Sequence, residues 1–315
     1  MRYCLCLSYD GSTFCGWQIQ PNAPSVQASL EAVLSRLLGS PVAVTGAGRT
    51  DTGVHAANYI AHFDCEGILP FEATDFTYKI NAMLPREVVV HSVTPVASDF
   101  HARFSARRRE YTYFIHRCKD PFLRATSWQC GYPQLDFEAM NKACRYLLGP
   151  HDFSCFEKTG GDNKTSLCTV YDAFWHPYTP SHIQLLSTEE STVSQIHGHP
   201  RPIEGGSAPL LSPRGSRPSM SLDDVQGHGL RRRSAERESS AHRTVPSAVS
   251  DYWFFRIAAD RFLRNMVRAT VGTLIEVGRG KHGPEWVAEL IESGTRGDAG
   301  ESVPGHALFL NKVEY

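Results

Sequence analysis

Three features of this 315-residue chain predict an α+β fold. Strand-like alternation and helix-like periodicity interleave along its length, and the succession is run through twice. The links between some strands are short, which favours antiparallel pairing over a doubly wound parallel sheet. Hydrophobic residues make up 41% of the chain, enough for one large core or two medium ones. The expected division is an N-terminal domain over 1–105 and a C-terminal domain over 106–315.

The elements follow in order. "RYCLCLSYDG" alternates as a strand and ends at a turn. "SVQASLEAVLSRLLG" places Val26, Leu30, Val33, Leu34, Leu37 and Leu38 at helical spacing, with Ser25 to cap the start and Gly39 to end the helix. "PVAVTG" and "YIAHFDC" read as strands on either side of an irregular loop. A helix around Thr74–Leu84 and the strand "EVVVHSVTPV" close the first round. The second round opens with the strand "RREYTYFIHR". The helix "DFEAMNKACRYLLG" follows, with an apolar stripe of Phe137, Met140, Ala143, Cys144 and Leu147. "SLCTVYDAFWH" and "DYWFFRIAAD" are strands, "RFLRNMVRATVGTLIEVG" and "PEWVAELIES" helices, and "ALFLNKVEY" a last strand.

One segment stands outside this scheme. From about 179 to 250 the chain is dominated by Ser, Pro, Gly, Arg and His and shows no sustained apolar period. Such a segment buries too little surface to offset its ordering entropy, so a disordered insertion looping out between two strands is expected. Loop closure costs grow slowly with length, so the host domain tolerates it.

No run of about 18 consecutive apolar residues occurs, and no membrane span is expected. The N-terminus alternates instead of showing a basic region and an apolar run, so no signal peptide is expected. The nine cysteines are odd in number and scattered, which points to reduced thiols and a cytoplasmic location. The formal net charge of −1 does not announce a nucleic-acid binder, but the basic residues are clustered.

The loop "GAGRTDTGVHA" carries a carboxylate, Asp51, directly after Arg49 and Thr50. An aspartic protease needs two carboxylates sharing a proton. This chain has a single Asp-Thr-Gly, and Arg49 sets a permanent cation beside it. Phosphate-cradling readings of this loop are excluded as well, because no Gly-Lys-Ser/Thr follows and the loop itself holds no Gly-x-Gly-x-x-Gly. Two basic elements then draw notice. In "DRFLRNMVR", Arg261, Arg264 and Arg268 fall on one helical face, where like charges call for a partner. "RRREYTYFI" begins with three arginines, Arg107 to Arg109, and puts Tyr111, Tyr113 and Ile115 on one side of a strand, a pairing that suits base stacking with phosphate contacts and equally a strand core. His55, His101 and His151 read as structural or RNA-contacting, and His151, Asp152 and Cys155 only faintly resemble a cysteine hydrolase set.

Taken together, "YDGSTFCGWQIQ", "SVQASLEAVL", "GAGRTDTGVHA", "DFHARFSARRREYTYFI", "GPHDFSCF", "RFLRNMVRATVG" and "GHALFL" resemble the TruA-type tRNA pseudouridine synthases, in the same order and over nearly the whole chain outside the insertion. The resemblance implies that Asp51 is the catalytic aspartate. It implies that Tyr111 is the tyrosine lying against a flipped uracil, that Arg268 is the arginine paired with the aspartate, and that Arg49 enters the RNA stack. Leu308 matches the apolar residue lining the far side of the pocket, and Arg103, Arg109 and Arg264 join Arg49 as RNA-binding residues. Phe309 stands where the family often has tyrosine, and Ala307 where it often has glycine. Further implications are a pair of ferredoxin-like units with a joined sheet and a central cleft, a homodimer, and tRNA as partner, modified in the anticodon arm at positions 38 to 40. The reaction breaks the bond from uracil N1 to ribose and joins C5 to the same carbon. Its product is an isomer, so no cofactor or metal is implied. A catalytically silent RNA-binding protein on the same scaffold, or a family synthase acting at other RNA positions, stands as the alternative.

Overall fold

The computed structural model describes residues 1–158, 160, 165–184 and 250–315. Apart from its two ends, the expected insertion at about 179–250 lies outside the described residues. The elements below all belong to one unit, Met1–Pro180 together with Ser250–Tyr315.

Ten strands form one sheet: β1 (Arg2–Tyr9), β2 (Val44–Gly46), β3 (His55–Asp64), β4 (Val88–Val96), β5 (Arg108–His116), β6 (Trp128–Gln129), β7 (Gly149–Asp152), β8 (Leu167–Pro177), β9 (Tyr252–Ala259) and β10 (Leu308–Glu314). Their order is β4-β1-β3-β10-β5-β9-β8-β7, with β2 added on β3 and β6 on β5. Pairing is antiparallel except for β10 with β3 and β5 with β6. The fold is therefore mixed α and β with a mostly antiparallel sheet, as expected. The C-terminal strand is the seam: β10 joins β3 of the first half to β5 of the second. The expected domain boundary at 105/106 falls between β4 and β5.

Among the described residues of this unit, five α-helices accompany the sheet: α1 (Val26–Leu38), α2 (Ala73–Met83), α3 (Phe137–Cys144), α4 (Met266–Gly278) and α5 (Trp286–Ser293). Helix α1 begins and ends where its sequence says. The Ser25 hydroxyl accepts from Ala28 N–H at 3.3 Å, and Gly39 closes the helix in the left-handed conformation at φ 70°. The stripe of α3 is buried throughout, although Leu147 sits in a following 3₁₀ turn, Arg145–Leu147. Phe137 on α3 stacks on Trp253 at 3.7 Å and meets Trp175 edge-on, which fixes the odd-numbered residues of β9, and Ala173 and Trp175 of β8 beyond its bulge, as the helix-covered face. Cross-strand pairing puts Tyr111, Tyr113, Leu308 and Leu310 on that same face. The opposite face carries Phe114, Phe174, Phe254 and Phe309, all half-buried.

Three local readings are corrected. The strand expected at "PVAVTG" is confined to Val44–Gly46, while β3 starts earlier, at His55, inside the quoted loop. The expected helix from Arg261 begins only at Met266, because Asn265 takes a left-handed backbone (φ 66°) and Asp260 Oδ1 accepts from the N–H groups of Arg261 and Thr169. Arg261 and Arg264 therefore lie on a loop, and the basic helical face is reduced to Arg268.

Candidate active site

Residues 47–54 bridge β2 and β3, and nearly every turn of that loop is tied down. Ala47 N–H donates to Ile60 O at 2.8 Å, and the Tyr59 hydroxyl donates to Gly48 O. The Thr50 hydroxyl bonds that of Tyr9 at 2.9 Å, and Thr50 O accepts from Trp17 N–H at 3.3 Å. Beneath them Trp17 stacks on Tyr59 at 4.1 Å. Gly16 allows the approach: at φ +91° a Cβ there would stand 2.2 Å from Thr50 O. This aromatic floor is buried, and it presents Asp51 upward with its side chain 30% exposed. Arg49, two residues earlier, is exposed.

Arg268 reaches this carboxylate from the first turn of α4. Its Nη1 donates to Asp51 Oδ2 at 3.2 Å, and its Nε donates to Val303 O at 2.7 Å. Val303 N–H returns a bond to Arg268 O at 3.3 Å. The arginine is thus held between the segment before β10 and the loop carrying Asp51. Both partners keep contact with solvent, so the pair adds little to stability, and its geometry fixes the direction in which the carboxylate points.

Tyr111, in the middle of β5, is buried and meets Phe262 edge-on at 5.0 Å. Burial pushes its phenol up to about 12, the nearby charge of Asp51 adding to the shift and Arg109 opposing it. The phenol is therefore protonated at neutral pH. Leu308 is also buried and lies across from Tyr113, whose hydroxyl donates to Pro304 O at 3.1 Å.

Arg109 stands two residues before Tyr111. Its Nε and Nη2 donate to Ala47 O at 3.4 and 3.0 Å, its other Nη2 bond goes to Arg103 O at 2.6 Å, and Nη1 serves Asp260 O at 2.7 Å and Ala106 O at 3.5 Å. A guanidinium has five N–H donors, and here each meets a backbone carbonyl. Arg103 and Arg264 are exposed, Arg264 giving its carbonyl to Lys158 N–H. Asp51, Arg268, Tyr111 and Arg109 are thus brought together, while Arg264 joins them only through the loop that leads into α4.

The histidines take structural positions. His55 is buried; its Nε2 donates to His306 O at 2.8 Å and Ala125 O at 3.0 Å, its Nδ1 accepts from Gly11 N–H, and the ring stacks on Phe309. Its neighbour across Nδ1 is Asp10, 3.1 Å away. The hydrolase set does not form. His151 Nε2 bonds Leu148 O, Asp152 caps Ser154 N–H, and burial pushes the Cys155 thiol up to about 12, far from a thiolate. Sequence reasoning passed over Tyr9, Trp17 and Tyr59; the alternation of "CLSYDG" and "YIAHFDC" marks Tyr9 and Tyr59 as core, no strand pattern marks Trp17, and only the fold shows that the three support the Asp51 loop.

A carboxylate aimed by an arginine, a buried phenol and an apolar wall make a site for acid–base or nucleophilic work on a planar group. A family model described as tRNA pseudouridine synthase matches residues 5–105 and 143–315. The chain is 36% identical to tRNA pseudouridine synthase A of Porphyromonas gingivalis, over all of this chain and 97% of that protein. It is 38% identical to the proteins of the same name from Parabacteroides distasonis and Bacteroides thetaiotaomicron, again over the whole chain and over 96% and 90% of theirs. The chain belongs to the tRNA pseudouridine synthase family, whose members are RNA-modifying isomerases.

Proposed function

We propose that this protein converts uridine to pseudouridine in the anticodon arm of tRNA, with Asp51 as the catalytic carboxylate. The observation that carries this reading is the Asp51–Arg268 pair, set at 3.2 Å over a buried tyrosine in a chain of this family. The target base must leave its stack, at a cost of a few kcal/mol. Arg49, exposed beside the carboxylate, fills the vacated space and contacts phosphate. Asp51, aimed by Arg268, begins the exchange that frees N1 from the ribose. Tyr111 and Leu308 line the two sides of the turned base. Once C5 is joined to the sugar its proton must leave. Because the Tyr111 phenol holds its own proton at neutral pH, it serves as a relay, receiving the C5 proton while passing its own to the Asp51 carboxylate, whose charge acts on the phenol. Arg109 acts as a positioning residue for the Asp51 loop.

The architecture is read as two ferredoxin-like units, one on each side of β10. The half-buried aromatics of the sheet face opposite the helices support a homodimer. Neither the relatives' names nor the family description states a position in the tRNA; the arm is assigned on the motif resemblance. Mapping pseudouridine in tRNA transcripts treated with the purified protein tests the assignment. Modification confined to the anticodon arm is expected; modification elsewhere, with that arm untouched, refutes the position and leaves the chemistry.

A further inference from the structure

Five residues before Arg109, the chain exposes a phenylalanine in a turn built to hold it still. Phe104 is 75% exposed, among the most exposed large apolar side chains described. The turn beneath is closed by Ser105 N–H on His101 O at 2.9 Å and by His101 N–H on the Ser105 hydroxyl at 3.0 Å. The His101 Nδ1 accepts from both Arg103 N–H and Phe104 N–H, at 3.2 and 3.3 Å. The His101 ring lies 4.4 Å from that of Phe104, and the Arg103 guanidinium stands 5.6 Å from it. By contrast Phe100, in the same short stretch, turns inward against Tyr315 at 4.9 Å. A fixed turn that spends its polar groups on itself and holds one aromatic ring in water does not serve the core.

Its place in the fold tells what the ring is for. Arg103 O and Ala47 O share the Nη2 of Arg109, so the two carbonyls lie at most about 6 Å apart. Ala47 opens the loop of Arg49 and Asp51. We propose that Phe104, flanked by Arg103, is a stacking platform for an unpaired nucleobase of the RNA substrate next to the target uridine. An exposed aromatic beside a guanidinium matches a base with its adjoining phosphate. The proposal rests on the RNA-modifying reading above.

The test measures KM and kcat for release of tritium from C5 of uridine in tRNA transcripts, with binding of the same transcripts as a function of salt. Phe104→Ala raises KM and weakens binding by about 5- to 150-fold, the effect of one lost base stack, with kcat and the melting temperature unchanged. Phe104→Trp restores both and its fluorescence is quenched by the RNA, whereas Phe104→Leu restores neither. The slope of log affinity against log salt is unaltered in Phe104→Ala, since no phosphate contact is removed. Wild-type KM and affinity in Phe104→Ala would overturn the platform while the synthase reading stood. Equal rescue by Leu would overturn it in favour of an apolar contact with protein. Absence of tritium release by the wild type would overturn the reading beneath it, and the platform with it.

Discussion

At the scale of single residues, the site separates groups that do chemistry from groups that hold them. Asp51 keeps solvent contact and a charged partner, whereas Tyr111 is sealed and neutral. Arg109 lies close to both, yet its donors are taken up by the carbonyls of Ala47, Arg103, Ala106 and Asp260. Lysine keeps the charge but offers three donors from one point, so it does not span that fork. Arg109→Lys is therefore expected to lower kcat about tenfold or more, roughly 1.4 kcal/mol of transition-state stabilisation, with little change in the salt dependence of tRNA binding. Titration of affinity against salt alongside steady-state kinetics checks this. An intact kcat with a salt slope reduced by about one would mark Arg109 as a phosphate contact instead. From sequence, an arginine preceding aromatic strand residues looks the same in either role; only the register of β5 against β10 and β9 decides.

At the scale of elements, what could be read in advance depended on how local the cause was. Helix α1 was legible because Ser25, its apolar stripe and Gly39 all act within a few turns. The basic face of Arg261, Arg264 and Arg268 was misread because the spacing is helical while the break comes from Asn265 and from Asp260 bonding across to Thr169, which no short window contains. Asp51, Tyr111 and Arg268 were picked out as a set by motif resemblance; composition and periodicity alone placed them on a loop, a strand and a helix with nothing to unite them. The close passage of Gly16 against Thr50 was equally hidden. A methyl at Gly16 would meet the Thr50 carbonyl at 2.2 Å and strain a positive φ. Gly16→Ala is expected to displace the Asp51 loop, cutting kcat at least about tenfold and destabilising the fold by roughly 1–3 kcal/mol. Urea unfolding beside turnover measures both, and unchanged values would show that the loop yields freely.

At the scale of the whole molecule, β10 makes one sheet of two halves, so the site assembled around that seam depends on the integrity of the fold. Buried titratable groups then set its pH range. Burial, with Arg2 and His101 adding, lowers His62 to about 4, while its Nδ1 accepts from Ala102 N–H. In the unfolded chain His62 takes up its proton near about pH 6.5, so its contribution is present above that value and is lost as pH falls through about 4. At the alkaline end, burial holds Tyr111, Tyr178, Cys155 and Cys168 up at about 12. Their unfolded counterparts release protons from about pH 8.5 to 10, so stability is full below that range and lost as pH rises through about 12. Urea midpoints are expected to be flat near neutrality and to fall on both sides, with His62→Gln removing about 1–3 kcal/mol of the acid loss. An unchanged acid limb in that variant would assign the loss to carboxylates.

The most direct test of the account follows the proton that must leave C5. Unmodified tRNA transcripts tritiated at C5 of every uridine are incubated with wild-type protein and with Asp51→Asn, without added cofactor. C5 gives up its tritium only as the new carbon–carbon bond is completed. Release by the wild type, with a fall of at least about a thousandfold in Asp51→Asn, roughly 4 kcal/mol of barrier, and with tRNA still bound, is the predicted result. Release by Asp51→Asn at the wild-type rate would contradict the assignment of Asp51 as the catalytic carboxylate.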